Sequence, residues 1–344
     1  MKSMVCVKVS SEEKISKIDA KPNLSLQGET SMNEDEKKKL IYQIAQMYYY
    51  DGLTQAEIAE RLKVSKPSIS RLLAEARQRK IVEIILHYPY QRRIDLEKSL
   101  ITRFQLHDAY VLMAEGLAMD EAQSGVGVLA AEMLDKYLAE QMVLAISRGR
   151  NVYSTVKAIR PRPELNLKVV QVQGALGDRL DDGSDLGFFL SRLSLSEIRL
   201  LNAPLILEKP ELAQSLLNEP SIRSTLELAK NADIALLGIG STNPDVFSLY
   251  RHKMVSLEEV EGLRKSGVVG DVAGCFIDQN GNEVDIEFNR RLVRINLEDL
   301  KKIPLRIGVA CGLARIDAVR AVVKSKLINI LVIDSITTSH LLEN

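Results

Sequence analysis

Between residues 109 and 334, six short apolar runs recur, with amphipathic helical stretches filling most of the intervals. The runs are Ala109–Met113, Met142–Ile146, Leu167–Val172, Ile234–Gly238, Arg306–Ala310 and Asn329–Asp334. A continuous apolar run of this length suits a strand covered on both faces, and such strands belong to a parallel sheet flanked by helices. The pattern predicts a doubly wound α/β domain over residues 108–344. Ligands of these domains sit at the carboxyl ends of the strands, so the residues directly after each run are the ones to inspect.

Those residues form a consistent set. The second run is followed by Ser147-Arg148-Gly149-Arg150-Asn151 and the third by Gln173-Gly174-Ala175-Leu176-Gly177-Asp178. The fourth leads into Gly238-Ile239-Gly240-Ser241-Thr242 and the fifth into Cys311-Gly312-Leu313-Ala314-Arg315. Each turn couples glycine, which lets backbone N–H groups approach a ligand, with a hydroxyl, amide or guanidinium able to bind anions or sugar hydroxyls. A single glycine after a strand is most often a plain turn. Four such turns at one sheet edge make a polar, anion-tolerant pocket. No Gly-x-Gly-x-x-Gly fingerprint and no phosphate loop ending in Gly-Lys-Ser/Thr is present, so no nucleotide cofactor is indicated, and none of any other kind is expected.

A second signal lies upstream. Residues 54–72 read as a helix, a tight turn and a second helix, with Ala56, Ile58, Ala59, Leu62, Val64, Ile69, Leu72 and Leu73 forming one apolar seam if the helices cross. Ser65 is placed to cap the second helix, Pro67 suits its first turn, and Lys66, Ser68, Ser70 and Arg71 project outward. This is the pattern of a helix-turn-helix that docks in a DNA major groove. Ser65, Lys66, Ser68, Ser70, Arg71 and Arg77 are the candidate DNA-binding residues, while Arg77, Arg79 and Lys80 form a basic flank suited to phosphate. Lys63 occupies the turn, where a left-handed backbone costs a non-glycine residue about 1–2 kcal/mol. A preceding helix over about Glu36 to Tyr50, apolar at Leu40, Ile41, Ile44, Ala45 and Met47, completes a three-helix bundle, and its Lys37-Lys38-Lys39 run is either a phosphate contact or a solvated face. The run Ile81-Val82-Glu83-Ile84-Ile85-Leu86 reads as a strand or wing.

Composition bounds the rest. A chain of 344 residues has room for two domains, and with 46 basic and 46 acidic residues any affinity for nucleic acid comes from a local patch. The three cysteines and four histidines are scattered without metal-ligand spacing, so no metal site is expected. There is no long apolar run for a membrane span, and the chain reads as a cytoplasmic protein with no membrane partner. The expected organisation is a flexible tail over 1–33, a helix-turn-helix domain over 34–88, a linker or oligomerisation helix over 89–107 and the α/β domain over 108–344. Met32, just ahead of the first helix, is an alternative start to Met1.

Over nearly all of residues 36–343 the chain resembles the SorC/DeoR-type sugar-sensing transcriptional regulators of bacteria. The resembling stretches are Tyr48-Tyr49-Tyr50-Asp51-Gly52-Leu53-Thr54-Gln55 and Ser70-Arg71-Leu72-Leu73-Ala74-Glu75-Ala76-Arg77, then Ile81-Val82-Glu83-Ile84 with Pro89. They continue through Ala145-Ile146-Ser147-Arg148-Gly149-Arg150, Leu237-Gly238-Ile239-Gly240-Ser241, Ser266-Gly267-Val268-Val269-Gly270-Asp271 and Asn329-Ile330-Leu331-Val332-Ile333-Asp334. The resemblance implies an effector domain similar to sugar-phosphate isomerases and deaminases, a sugar or sugar-phosphate effector, operator double-stranded DNA as partner, and assembly as a homodimer or homotetramer. It implies further that Gly149, Arg150 and Asn151 lie at an anion-binding helix start with Arg315 opposite, and that Gly238, Gly240 and Asp271 shape the remaining wall. Two positions depart from the family pattern: Asn151 stands where members often carry threonine, and Arg315 where many carry lysine. Arginine keeps the charge and grips phosphate with paired hydrogen bonds, but it cannot form a Schiff base.

The reading from sequence is therefore a DNA-binding regulator controlled by a sugar or phosphorylated sugar, and not an enzyme. The alternative is a sugar-phosphate isomerase or deaminase carrying a DNA-binding module, with Asp178, Asp181, Asp185 and Asp271 as possible bases.

Overall fold

The computed structural model describes residues 5–9, 34–79, 81–86, 90–160, 162–175 and 197–343. Most of the expected tail, Met32, Lys80 and the acidic residues Asp178, Asp181 and Asp185 lie outside the described residues. Contacts divide the chain into two compact units, Met1–Pro89 and Tyr90–Asn344.

The first unit is built on α1 (Glu34–Tyr49), α2 (Gln55–Leu62) and α3 (Lys66–Gln78). Thr54 opens α2 with a reciprocal cap: its hydroxyl accepts from the Glu57 N–H while Glu57 accepts from the Thr54 N–H at 2.7 Å. Lys63 ends α2 in the left-handed conformation, φ 56°, and turns the chain into α3. The core of the bundle gathers Leu40, Ile41, Ile44, Ala45, Ile58, Ala59, Leu62, Ile69, Leu72, Leu73 and Ala76, with Met47 and Val64 half-buried against it. Ala56 is exposed and does not join the seam. It stands two residues from Ile58, about 200° around the helix, and so faces solvent when Ile58 faces the core. The wing is a two-stranded antiparallel pair of β1 (Val5–Val9) and β2 (Val82–Leu86), with Val7 opposite Ile84. Within residues 1–33, read as a flexible tail, Val5–Val9 forms a strand: Val-Cys-Val-Lys-Val carries a β-branched residue at every second position, which suits a strand once a partner is available.

The second unit is a parallel sheet of β3 (Asp108–Leu112), β4 (Val143–Ile146), β5 (Lys168–Gln171), β6 (Glu197–Arg199), β7 (Ile234–Gly238), β10 (Leu305–Val309) and β11 (Ile330–Asp334), in the order β3-β11-β10-β7-β4-β5-β6. Side chains alternate between two cores. Leu144, Ile146, Ile234 and Leu236 face one side with α5 (Met119–Tyr137) and α6 (Arg150–Ala158), whereas Ala145, Ala235 and Leu237 face the other with the helices Pro220–Lys230, Ile316–Lys324 and Ser335–Glu343. The order reverses at β4, which is followed by β5 on one side and flanked by β7 on the other. That reversal opens a crevice at the carboxyl ends of the central strands. A short antiparallel hairpin, β8 (Gly270–Val272) and β9 (Cys275–Ile277), turns through Ala273 and Gly274 at φ 54° and 76° and docks on the residues just past β7, where the Gly240 N–H donates to the Asp271 carbonyl at 2.8 Å.

The helix α4 (Ile94–Phe104), read from sequence within a linker, belongs to this second unit. Leu100 is fully buried in the core and Phe104 joins it, while the buried Glu97 takes Arg92 in a bidentate pair at 2.6 and 2.7 Å and accepts from the Val111 N–H of β3 at 2.9 Å. Its apolar face had a partner within its own domain.

Candidate functional site

At the carboxyl ends of β4, β5, β7 and β10 a pocket is lined by Gly149, Arg150, Asn151, Gln173, Gly238, Gly240, Asp271 and Arg315, all named from sequence. Ser147, Gly174 and Ser241, named with them, are placed behind the lining. The Ser147 hydroxyl is fully buried and accepts from the Gly238 N–H at 2.9 Å, tying β4 to β7 at the switch point. Gly174 packs its Cα against the Ala203–Pro204 backbone, and its N–H donates to Val293 at 3.0 Å. Ser241 donates to the Ala314 carbonyl at 2.6 Å and so anchors the loop that carries Arg315.

Positive character at the pocket begins at the start of α6. Gly149 precedes the helix at φ 127°, a conformation that side chains rarely adopt, and no side chain caps the helix. Backbone N–H groups at such a helix start carry partial positive charge toward the pocket. Two arginines add to it. Arg315 donates to the Cys311 carbonyl at 2.7 Å, and its guanidinium is held below the ordinary arginine value by burial and then by the neighbouring charge of Arg150. Keeping like charges together in a partly dry site is costly unless an anion joins them.

One acid faces these cations. Asp271 lies on β8, and burial pushes its carboxyl up to about 6, against the pull of the Gly274 N–H at 3.1 Å and of the Arg294 and Arg315 charges. Gly240 makes room for it: a Cβ there would stand 1.9 Å from the Asp271 Oδ1. Just past β5, the Gln173 Oε1 is buried with no hydrogen-bond partner, an acceptor at the wall of the pocket. Leaving such an atom unsatisfied costs about 1–3 kcal/mol, which a donor from a bound hydroxyl recovers.

The sequence reading missed the apolar half of the pocket. Leu205, Ile239, Val246, Phe247, Leu249 and Phe276 line it, and Phe247 and Phe276 meet edge to face with centroids 5.8 Å apart. Leu205, Phe247, Leu249 and Phe276 belong to a satellite core that no strand-end rule reaches, whereas Ile239 directly follows β7 and packs in the main core. Arg148, Ser248 and Gly274 also line the pocket, and Arg148 was visible as the other arginine flanking Gly149. Cys311 and Cys275 are buried thiols, each pushed up to about 12 by burial, and neither is poised as a nucleophile. Among the described residues no group of three or more His, Cys, Asp or Glu could hold a metal ion.

In the first unit, Ser65 caps α3 by accepting from the Ser68 N–H at 3.3 Å, and the two hydroxyls stand 3.0 Å apart. Lys66, Ser70, Arg71 and Arg77 are exposed on α3, with Arg77 donating to the Tyr49 hydroxyl at 3.1 Å. Arg79, of the flank read as suited to phosphate, and Lys37, read as either a phosphate contact or a solvated cation, both form ion pairs within the bundle. Arg79 pairs with Glu34 at 2.9 Å and Glu75 at 2.5 Å, and Lys37 pairs with Glu75 at 2.9 Å. No helix among the described residues is long and apolar enough to cross a membrane.

Comparison with known proteins fits this division. Residues 88–343 match the family described as "Putative sugar-binding domain", and residues 41–93 match the MarR family. The chain is 31% identical over 325 residues to the Transcriptional regulator LsrR of Escherichia coli (strain SMS-3-5 / SECEC), covering 94% of this chain and 99% of that one. It is likewise 31% identical to the protein of that name from Enterobacter sp. (strain 638), covering 89% and 93%. Among solved structures, the full-length sorbitol operon regulator SorC of Klebsiella pneumoniae superposes with a TM-score of 0.66 at 28% identity, covering 90% of this chain and 99% of that one. A DeoR family transcriptional regulator from Listeria monocytogenes gives 0.66 at 26% identity over 72% of this chain and 98% of its own. The chain belongs to the SorC/DeoR family of sugar-binding transcriptional regulators.

Proposed function

We propose that this regulator binds a sugar bearing an anionic group, a phosphorylated sugar foremost, in the pocket at the sheet edge, and that occupancy changes its affinity for operator DNA. The observation that carries the proposal is the pairing of Arg150 and Arg315 at the start of α6, where no side chain caps the helix. Asp271 and Gln173 supply acceptors for sugar hydroxyls, and the wall of Leu205, Phe247 and Phe276 suits the apolar face of a sugar ring. On this reading α3 enters the major groove with Lys66, Ser70 and Arg71 toward base edges or adjoining phosphates. A two-fold dimer presents two such helices about 34 Å apart, or a multiple of that, to a pseudo-palindromic operator. Dimers or tetramers working on DNA in the cytoplasm complete the proposal.

The direct test is a thermal-shift panel of neutral sugars, sugar phosphates and sugar acids. A rise in melting temperature with at least one anionic sugar, absent for its neutral parent, supports the reading. A flat response to the whole panel contradicts it.

One observation favours a second reading. The carboxyl of Asp271, pushed up to about 6, lies in the range of a general base, so isomerisation of the bound sugar is chemically conceivable. Against it, no histidine among the described residues lines the pocket, and the relatives bear the names of transcriptional regulators. Steady conversion of a sugar phosphate by the purified protein would support the enzymatic reading.

A further inference from the structure

Behind the pocket, outside its lining, stands Arg294. It is 8% exposed and lies on the extended segment Leu292–Ile295, whose backbone pairs with the end of β5: Gly174 donates to Val293 at 3.0 Å and Ile295 to Val172 at 2.7 Å. Gln173 and Arg294 are direct partners in an antiparallel bridge. Such partners carry their side chains on the same face with Cβ atoms about 4.5–5.5 Å apart, so Arg294 flanks Gln173. Its stem also runs beside the hairpin turn, since a Cβ on Gly274 would meet the Arg294 Cδ at 3.4 Å. The head is held by an ion pair with Glu283 and by the Ile295 carbonyl at 2.9 Å, while its Nε is buried with no partner.

We propose that Arg294 is a positioning residue of the effector pocket: it supports the Ala273–Gly274 turn that holds Asp271, and its charge keeps that carboxylate ionised so that it accepts hydrogen bonds from sugar hydroxyls. Among the described residues, the charged groups lining the pocket with Asp271 are Arg148, Arg150 and Arg315. The Gly274 N–H comes from its own hairpin, Arg294 stands behind with Cys275 and Glu283 beyond it, and Arg315 approaches from the loop after β10 with Arg150 next to it. A carboxylate in a dry site that loses one of two nearby cations takes up a proton more readily. The pocket then loses an acceptor and its net charge becomes more positive. The proposal rests on the reading of the pocket as a site for an anionic sugar.

Sulfate tests it, because its charge does not change over the relevant pH range. Binding of sulfate to the full chain is measured by calorimetry from about pH 5 to about pH 8.5, bracketing the proton uptake of Asp271 near 6. Protonation removes a negative charge from the pocket, so the wild type is expected to bind sulfate several-fold more tightly at the acid end, and Asp271→Asn to lose that inflection. Arg294→Met and Arg294→Gln, both neutral, are expected to move the inflection upward by about one pH unit or more, whereas Arg294→Lys keeps it near the wild-type position. Either neutral variant serves if the other fails to fold, as judged by its melting curve. An inflection unmoved in the neutral variants, or moved equally by Arg294→Lys, overturns the charge-setting role. An inflection that survives Asp271→Asn belongs to another group and overturns the proposal equally. Absence of sulfate binding at every pH instead contradicts the pocket reading on which the proposal stands.

Discussion

Arg71 and Asp271 show how single side chains divide the work. Arg71 is exposed on the outer face of α3, one residue before the buried Leu72, so its removal leaves the bundle core untouched. Arg71→Ala is expected to cost about 1–3 kcal/mol on operator DNA and nothing on scrambled DNA if the residue reads a base, or to weaken both alike if it meets phosphate. Unchanged binding to both would remove it from the interface. Asp271 makes a prediction about stability. Its folded value near 6 exceeds the unfolded reference of 3.8, so the folded chain holds the proton more tightly. Stabilisation from that proton is complete below the unfolded value and is lost as pH rises through the folded one. The loss is on the order of 3 kcal/mol by alkaline pH. Asp271→Asn is therefore expected to gain stability over the wild type as pH rises from about 4 to about 7, read as denaturation midpoints. A constant gap across that window would show that the carboxyl is not perturbed.

Among the elements, six of the seven parallel strands were legible because buried strands need continuous apolar runs, the three-residue β6 being too short to show one, and the residues following those runs brought seven of the named positions into one pocket. The hairpin of β8 and β9 was not legible as structure. Each strand has three residues, too few to show a period, and Ala273 takes a left-handed turn position more often given to glycine or asparagine. Asp271 was placed on the pocket wall by family resemblance alone. The apolar wall was hidden for a different reason, since Leu205, Phe247 and Phe276 are far apart in sequence and only the satellite core brings them together. The helix α4 was legible as amphipathic, but an amphipathic face shows that a partner exists and not which one. Its burial gives a prediction. Leu100→Ala, at a fully buried site, is expected to cost about 2–5 kcal/mol of stability. A cost under about 1 kcal/mol would mean that α4 does not pack on the α/β unit as described.

For the whole molecule, the division into a winged helix-turn-helix and a sugar-binding α/β domain means that regulation is a coupling between two sites. A ligand shifts the balance only through different affinities for the DNA-competent and DNA-incompetent states. The measurement that tests this most directly is fluorescence anisotropy of the full chain on the DNA upstream of its own gene cluster, at fixed salt, with and without each member of a panel of sugars and sugar phosphates. The account predicts sequence-specific binding that at least one anionic sugar changes by roughly 5–150-fold, in either direction, with the response lost in Arg315→Ala. Binding without sequence preference, indifferent to every compound, would contradict it.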